Sequence, residues 1–361
     1  MEDLATRLLV KVAQLYHLQG LNQDQIARQV GVSRSKVSRM LKEARERGLV
    51  EISIHYPARF SLDLERRLES ELGLREAVVV NAGGVIGSRG SVAAAAADYV
   101  LRVLQAGDVL GVSGGETVAL TAQVLPAFSV SSVNVVQLGT AIAYLGDRAA
   151  FSSAEVARQV AQKLGSLDRL TLIPIPSLFD NESIRDALLR DTGVKGAMAL
   201  LGSCTVALVG IGAIDACVHL SLATDGAPFA PLRPDCRKQV LPVADEEVDE
   251  LREAGAVGEI CARFFDTDGE PCITSLDRRM VALNLNQLRG VPQVIGVACG
   301  THKAAAILGA VRGGYVKSLV TDDATATEVL ALGGAVADGA RAPESDRRST
   351  VGTSVGVPSG R

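Results

Sequence analysis

The chain has 361 residues, 47% of them hydrophobic, and a formal net charge of −4. That length exceeds one typical domain and can bury a substantial core, so two domains are expected. No apolar run approaches the roughly 18 residues of a membrane span, and Glu2 and Asp3 stand where a signal peptide needs positive charge, so the expected location is cytoplasmic. The six cysteines, Cys204, Cys217, Cys236, Cys261, Cys272 and Cys299, form no C-x-x-C pair. Neither they nor His17, His55, His219 and His302 stand at zinc-ligand spacing. No metal site is therefore expected, and the thiols read as reduced and mostly buried.

The charge is unevenly spread. Residues 1–60 hold ten basic and six acidic groups (+4), which leaves −8 for the remainder. From Ser33 to Arg47 there are six Lys or Arg against two Glu. The stretch around it, LNQDQIARQVGVSRSKVSRMLKEARER (21–47), reads as two short helices broken by a glycine turn. Asn22 can cap the first, which buries Ile26, Ala27 and Val30 at helical spacing. Gly31 ends it, and Ser33 can cap a second helix that buries Val37, Met40 and Leu41. The small Ala27 and β-branched Val37 suit a close helix crossing, and Arg34, Ser35, Ser38 and Arg39 then face outward.

A compact basic helix suits duplex DNA, where phosphate neutralisation releases counterions and a helix N-terminus enters the major groove. The expected DNA-binding residues are Ser33, Arg34, Ser35, Lys36, Ser38, Arg39 and Lys42. Arg34 and Arg39 are candidates for base edges, since arginine bonds guanine bidentately. Ser33, Lys36, Lys42 and Arg45 suit phosphates. The competing interpretation is a solvated, salt-laced face, for which Glu43 and Arg47 are spaced as a helical pair.

Residues Leu49–His55 alternate as a strand, Pro57–Ser61 break the pattern, and Leu62–Leu72 read as a helix with Leu64, Leu68 and Leu72 on one stripe. That stripe suits either core packing or the same helix of a second subunit. From Ala77 the runs AVVVN, DVLGVS, VNVVQLG, LTLIPI, TVALVGIG, VIGVAC and YVKSLVT alternate with helical patterns such as Ser91–Val103, Ser153–Leu164 and Lys303–Val311. Such alternation implies a mainly parallel sheet with helices on both faces. The expected division is a helix-turn-helix domain (1–56), a linker and linking helix (57–75), an α/β domain (76–338) and a disordered tail (339–361) whose composition is rich in Gly, Ser, Pro and Arg.

Open α/β sheets bind ligands where strands end and helices begin. GVSGGETVAL (111–120) offers Ser113, Gly114, Gly115 and Thr117 to an anionic or hydroxylated group, and GVACGTHKAAAI (296–307) offers Gly300, Thr301 and Lys303. Together they suggest a sugar or sugar-phosphate pocket, although glycines at such turns are also common for steric reasons. ARFFDTDGEP (262–271) reads as a strand entering a tight turn, with Asp266 and Asp268 either bonding sugar hydroxyls or merely solvated. GGVIGSRG (83–90) has the wrong glycine spacing for a dinucleotide fingerprint and no acidic ribose partner, so no nicotinamide or other cofactor is expected.

The order of these segments, from LNQDQIARQVGVSRSKVSRMLKEARERGLVEI through GVSGGETV, TVALVGIGAID and VGEICARFFDTDG to LRGVPQVIGVACGTHKAAAILGAVRGGYVKSLVTDDATA, resembles the SorC family of bacterial transcriptional regulators over roughly residues 5–335. The resemblance implies an α/β protein: a winged-helix-like helix-turn-helix plus a Rossmann-like, doubly wound effector domain related to sugar-phosphate isomerases and deaminases. It further implies operator DNA and a sugar or sugar-phosphate effector as partners, control of carbohydrate genes, and a homodimer or homotetramer. Carried over by motif, the effector contacts are Ser113, Gly114, Gly115, Thr117, Asp266, Gly300 and Lys303. Here the chain departs from the family, which often has tryptophan where Gly114 stands and an uncharged or basic residue where Glu116 stands. An acid there would repel a phosphate unless it points away. The alternative is an active sugar-phosphate isomerase or deaminase with a DNA-binding appendage, drawing a general base from Glu116, Asp215, Asp266 or Asp322. A third interpretation makes the front domain a protein-interaction module.

Overall fold

The computed structural model describes residues 2–50, 59–82, 88–128, 130, 132–139, 150–173, 175–214 and 245–339. They fall into two compact units, Met1–Pro57 and Ala58–Arg361.

The first unit contains α1 (Glu2–His17), α2 (Gln23–Val30) and α3 (Arg34–Glu46). A reciprocal capping box opens α2: the Asn22 side chain accepts from the Gln25 amide and the Gln25 side chain accepts from the Asn22 amide, both at 2.9 Å. Gly31 closes α2 in the left-handed conformation (φ 72°), and the Ser33 side chain then accepts from the Lys36 amide to cap α3. The three helices share one core of Leu9, Val12, Ala13, Leu15, Ile26, Ala27, Val37, Met40, Leu41 and Ala44. Helix α1 was not among the expected elements. The strand expected over Leu49–His55 falls mostly outside the described residues, although Val50 packs on this core.

In the second unit, α4 (Leu62–Leu72) coincides with the expected linking helix, and its stripe faces inward: Leu68 is fully buried, with Leu64 and Leu72 against the same core. Seven parallel strands follow: β1 (Glu76–Val80), β2 (Val109–Val112), β3 (Asn134–Gln137), β4 (Leu170–Thr171), β5 (Val206–Gly210), β9 (Gln293–Val297) and β10 (Ser318–Asp322). Each lies in one of the seven apolar runs, to within a residue at either end. Their spatial order is β1-β10-β9-β5-β2-β3-β4. From β2 the chain proceeds to β3 and β4 on one side, whereas from β5 it proceeds to β9 and β10 on the other. The winding direction therefore reverses between β2 and β5, and open sheets take ligands at the carboxyl end of such a junction.

Both faces of the sheet are covered, which explains why its strands are continuously apolar. On one face α5 (Ser88–Val103), α6 (Glu116–Val124) and α7 (Ser153–Lys163) pack on Leu110, Val112, Val135 and Leu208. The alanines Ala93, Ala96 and Ala97 allow α5 a close approach. Beyond α8 (Glu182–Leu189), α9 (Thr192–Leu201) and α10 (Asp245–Glu253), the other face is covered by α4 together with α11 (Leu285–Gly290), α12 (Ala304–Arg312) and α13 (Asp323–Gly339), packed on Val79, Ala207, Val209 and Val294. A small antiparallel sheet of β6 (Gly212–Ala213), β7 (Gly258–Ile260) and β8 (Arg263–Phe265) continues directly from β5; β8 is the strand expected before the Asp266 turn, whereas its pairing with β6 and β7 was not among the expectations.

Strand β1 lies at the sheet edge, where unpaired amides invite unwanted pairing. Two carboxylates of α4 fill that role: Glu65 accepts from the Val79 amide and Glu69 from the Ala77 amide, each at 2.9 Å. Glu65 is itself buried. Glu65→Ala is therefore expected to cost about 1–3 kcal/mol by leaving a buried amide unpaired. Glu65→Gln, which keeps an acceptor, should retain most of that stability in urea titrations.

Candidate DNA-binding face and ligand site

Helix α3 is anchored by its apolar side, so the opposite side is defined by default. Ser33, Arg34, Ser35, Lys36, Ser38, Arg39, Lys42 and Arg45 are all exposed, and all lie on the cap and solvent face of one helix. Arg34 approaches Asp24 at 3.8 Å and Lys42 approaches Glu46 at 3.7 Å. Arg39 reaches back to the Ser35 carbonyl at 3.5 Å. Such long, exposed contacts are worth little and are readily exchanged for phosphates. The Glu43–Arg47 pair is formed at 2.8 Å, so the salt-laced character is present on the same helix.

In the second unit, Ser113 closes β2 at the winding reversal and is 4% exposed. Its amide donates to the Leu208 carbonyl at 3.0 Å, and its hydroxyl accepts from the Gly210 amide at 3.1 Å while donating to the Gly114 carbonyl. The backbone then turns through Gly114 and Gly115. A Cβ on Gly114 would lie 2.8 Å from both the Phe151 carbonyl oxygen and the Ser153 nitrogen, and Gly115 has φ 107°. Gly115 also donates to the Phe151 carbonyl at 2.9 Å. The N-cap of α6 is Gly115, which has no side chain to cap the helix, and the first turn of α6, with buried Thr117 in it, starts at the carboxyl edge of the sheet.

The second loop arrives from β9. Gly300, at φ 109°, donates its amide to Thr325 Oγ1 at 2.7 Å, and a short 3-10 turn (Thr301–Lys303) leads into α12. Lys303 is 6% exposed, and its Nζ donates to the Ile211 carbonyl at 3.1 Å. The Ser113 hydroxyl and the Lys303 ammonium thus bind adjacent residues, Gly210 and Ile211, at the end of β5. This brings the two loops together, because β5 lies between β2 and β9.

The acid beside this loop is compensated. Glu116, at the start of α6, pairs with Arg89 in the first turn of α5 at 2.6 Å, with side chains only 19% and 24% exposed. Arg89 also interacts with the Cys299 thiol, so it links the starts of α5 and α6 to the end of the β9 loop. The sequence signal for Arg89 was present in GGVIGSRG, but there the glycines drew attention and the arginine did not. Of that stretch, residues 83–87 lie outside the described residues.

Asp266 is not brought to this site. Its side chain accepts from the amides of Asp268 at 2.9 Å and Glu270 at 2.8 Å, shaping its own turn. That turn packs against Gly309 and Gly313 at the C-terminal end of α12, whereas Gly300 and Lys303 stand at its N-terminal end. Gly309, which the Asp266 carbonyl faces, stands six residues beyond Lys303, about 9 Å along the helix at 1.5 Å per residue. Asx-turn chemistry, which the Asp-Thr-Asp-Gly pattern already contained, accounts for the position of this acid. Of the other acids raised as bases, Asp322 is buried and accepts from the Thr325 amide at 2.7 Å. Asp215 lies outside the described residues.

Among the described residues Cys204, Cys261, Cys272 and Cys299 are free thiols, and no group of three or more His, Cys, Asp or Glu could hold a metal ion. Burial pushes the Cys204 and Cys272 thiols up to about 11, with Asp266 and Asp277 adding to the effect at Cys272. Cys217 and Cys236 fall outside the described residues. No helix of the described residues is long and apolar enough to cross a membrane.

Residues 56–226 and 237–331 match the Sugar-bind family of sugar-binding domains, and residues 19–51 match a winged helix-turn-helix DNA-binding family. The sorbitol operon regulator of Klebsiella pneumoniae is 33% identical over 328 residues, covering 90% of this chain and 98% of that protein. The deoxyribonucleoside regulator of Bacillus subtilis (strain 168) is 30% identical over 326 residues, covering 90% and 97%. The crystal structure of the full-length Klebsiella pneumoniae sorbitol operon regulator superposes with a TM-score of 0.64 at 32% identity, covering 91% of this chain and 100% of that one. The chain belongs to the SorC family of transcriptional regulators. It joins a DNA-binding helix-turn-helix to a sugar-binding α/β domain, and it is a sugar-responsive regulator of transcription.

The Gly114 contact gives a direct test of the ligand loop. Gly114→Ala forces a Cβ between two backbone atoms of the chain entering α7 and is expected to lower stability by about 1–3 kcal/mol. Gly90→Ala, where a Cβ meets nothing within 4 Å, should be neutral or slightly stabilising in the same thermal melts.

Proposed function

We propose that the sugar or sugar-phosphate effector binds at the carboxyl edge of the sheet where β2 and β5 diverge. There it is held by Ser113, Gly114, Gly115 and Thr117 on one side and by Gly300 and Lys303 on the other. The observation that carries this reading is the convergence of Ser113 and Lys303 on Gly210 and Ile211, beside the α6 N-terminus, whose N-cap is Gly115. Hydroxyls and oxyanions both suit such a site. Arg89 offsets the charge of Glu116, so the acid beside the loop is compatible with a phosphorylated ligand.

On the DNA side, Arg34 and Arg39 read bases while Ser33, Ser35, Lys36, Ser38 and Lys42 set position on phosphates. A homodimer or homotetramer places two such helices in successive major grooves, and the target is an inverted repeat controlling carbohydrate genes in the cytoplasm. The effector acts by binding one DNA-competent arrangement more tightly than another, which is what a regulator requires. Ligand is bound without turnover. Three of the acids raised as general bases already have other partners, Glu116 with Arg89, Asp322 with the Thr325 amide and Asp266 with its own turn, which supports binding over turnover.

Two sets of variants test the assignment. Arg39→Ala is expected to cost about 1–3 kcal/mol of operator binding and to relax sequence preference at one position. Lys42→Ala should weaken binding to all sequences and reduce the salt slope by about 1. In calorimetry with sorbitol 6-phosphate and sorbitol, Arg89→Ala should weaken the phosphorylated ligand more than Arg89→Ala/Glu116→Gln does, since the single variant leaves the carboxylate uncompensated. Equal losses in the single and double variants would remove Arg89 from the site.

A further inference from the structure

A chain of hydrogen bonds runs from the ligand loop to the first described residues after the DNA-binding unit. It begins at Gly300, whose amide is held by Thr325 Oγ1 at 2.7 Å. The Thr325 amide in turn donates to Asp322 Oδ1 at 2.7 Å, and Thr325 is completely buried. Asp322 ends β10 in register with Val80 of β1. Its neighbour Asp323 accepts from the Ala82 amide at 3.2 Å, just beyond β1. Asn81, between Val80 and Ala82, donates its backbone amide to the Arg59 carbonyl at 2.8 Å and its side-chain Nδ2 to the Phe60 carbonyl at 2.9 Å. The Ser61 amide donates to the Val79 carbonyl at 2.9 Å, and Phe60 bridges antiparallel to Val80.

Residues 59–61 are where the polypeptide enters the ligand-binding unit. They are held by the carboxyl end of β1, on the same edge of the sheet as the ligand loops, and not by a distant surface. The starts of α5 and α13, which follow β1 and β10, carry Arg89 and Asp323 respectively. A ligand that moves the Gly300 loop therefore acts on Thr325, on the turn from β10 into α13, and on the end of β1, each through a bond with one donor and one acceptor. Packed elements pass on such shifts as changes between discrete arrangements. Arg59, Phe60 and Asn81 serve no ligand-binding role in the site described above, and their hydrogen bonds form a clasp between that site and the tether.

We propose that Asn81 is the positioning residue through which effector binding reaches the DNA-binding unit: it clasps Arg59–Phe60 to the β1 end, and Asp323 and Thr325 connect that clasp to the Gly300 loop. This rests on the sugar-responsive reading of the Gly300 and Lys303 site and adds the route by which the response leaves it.

Two measurements test it, one of which needs no ligand. In the full chain, amide hydrogen exchange at Ser61 and Asn81 should accelerate at least tenfold in Thr325→Val and in Asp323→Ala. Exchange at Arg75, whose amide is bonded to Lys317 at the opposite end of β1, should stay within twofold of the parent. Unchanged protection at Ser61 and Asn81 in both variants, or an equal acceleration at Arg75, overturns the connection. The second measurement is operator binding at fixed salt with and without sorbitol 6-phosphate or sorbitol, for the parent and Asn81→Ala. The variant should bind the sugar with a Kd within about twofold of the parent and bind DNA without ligand within about threefold. The ligand-induced change in DNA affinity should fall at least fivefold, towards one. An undiminished response in Asn81→Ala overturns the proposal. If neither sugar binds the parent, sorbitol and its phosphate are excluded as effectors while the exchange experiment still decides the clasp.

Discussion

The single contact on which the second unit depends is the one between the Ser113 hydroxyl and the Gly210 amide, at the point where the chain reverses the direction in which it winds the sheet. A parallel sheet that grows outward from two adjacent central strands leaves a gap between the loops above them, since the following helices depart to opposite sides. In this chain that gap is bordered by β2 and β5. Serine is small enough to sit in it and polar enough to satisfy the first amide that β5 leaves unpaired. Gly114 then lets the backbone pass the start of α7 without a Cβ, and Gly115, at φ 107°, turns the chain into α6. Moving any of these features would close the site or bury its donors without partners.

Electrostatics follow from that geometry. The positive ends of α6 and α12 converge on one edge together with Lys303 and Arg89, and in a partly buried setting such charges interact more strongly than they would in water. Glu116 keeps that field from being one-signed by pairing with Arg89, while Asp322 spends its acceptor on the Thr325 amide. Both acids therefore help hold loops in place. The DNA-binding unit uses charge differently. Its cations stand exposed on α3 and make only long or easily exchanged pairs, an arrangement suited to a partner that supplies its own regular array of phosphates.

Much of this was legible in the residues because local chemistry and tertiary need agree. Asn22, Gly31 and Ser33 dictate the helix boundaries by capping, and the seven apolar runs had to be strands buried on both faces. Helix α4 could be placed from Leu64, Leu68 and Leu72, but its choice between core and subunit contact could not, since an apolar stripe does not name the surface it meets. Leu9, Val12 and Ala13 in α1 also carried a helical pattern that the expectations passed over. Of the antiparallel β6-β7-β8 sheet only β8 was legible, as the strand before the Asp266 turn; β6 and β7 have only two or three residues, too few for periodicity to show. Asp266 was open to two readings, since an Asx turn and a ligand-facing aspartate look alike in sequence; in the structure its Oδ1 accepts from the amides of Asp268 and Glu270. Arg89 depends on a partner 27 positions away, Glu116, which no local pattern links to it.

The measurement that bears most directly on the account is the affinity of the purified protein for the DNA upstream of its own gene at one salt concentration, repeated with a panel of sugars and sugar phosphates. The account predicts specific binding that at least one member of the panel shifts by fivefold or more, with the shift lost in Lys303→Ala. Specific binding that no member of the panel shifts, or a shift that survives in Lys303→Ala, would contradict the placement of the effector between the Ser113 and Gly300 loops.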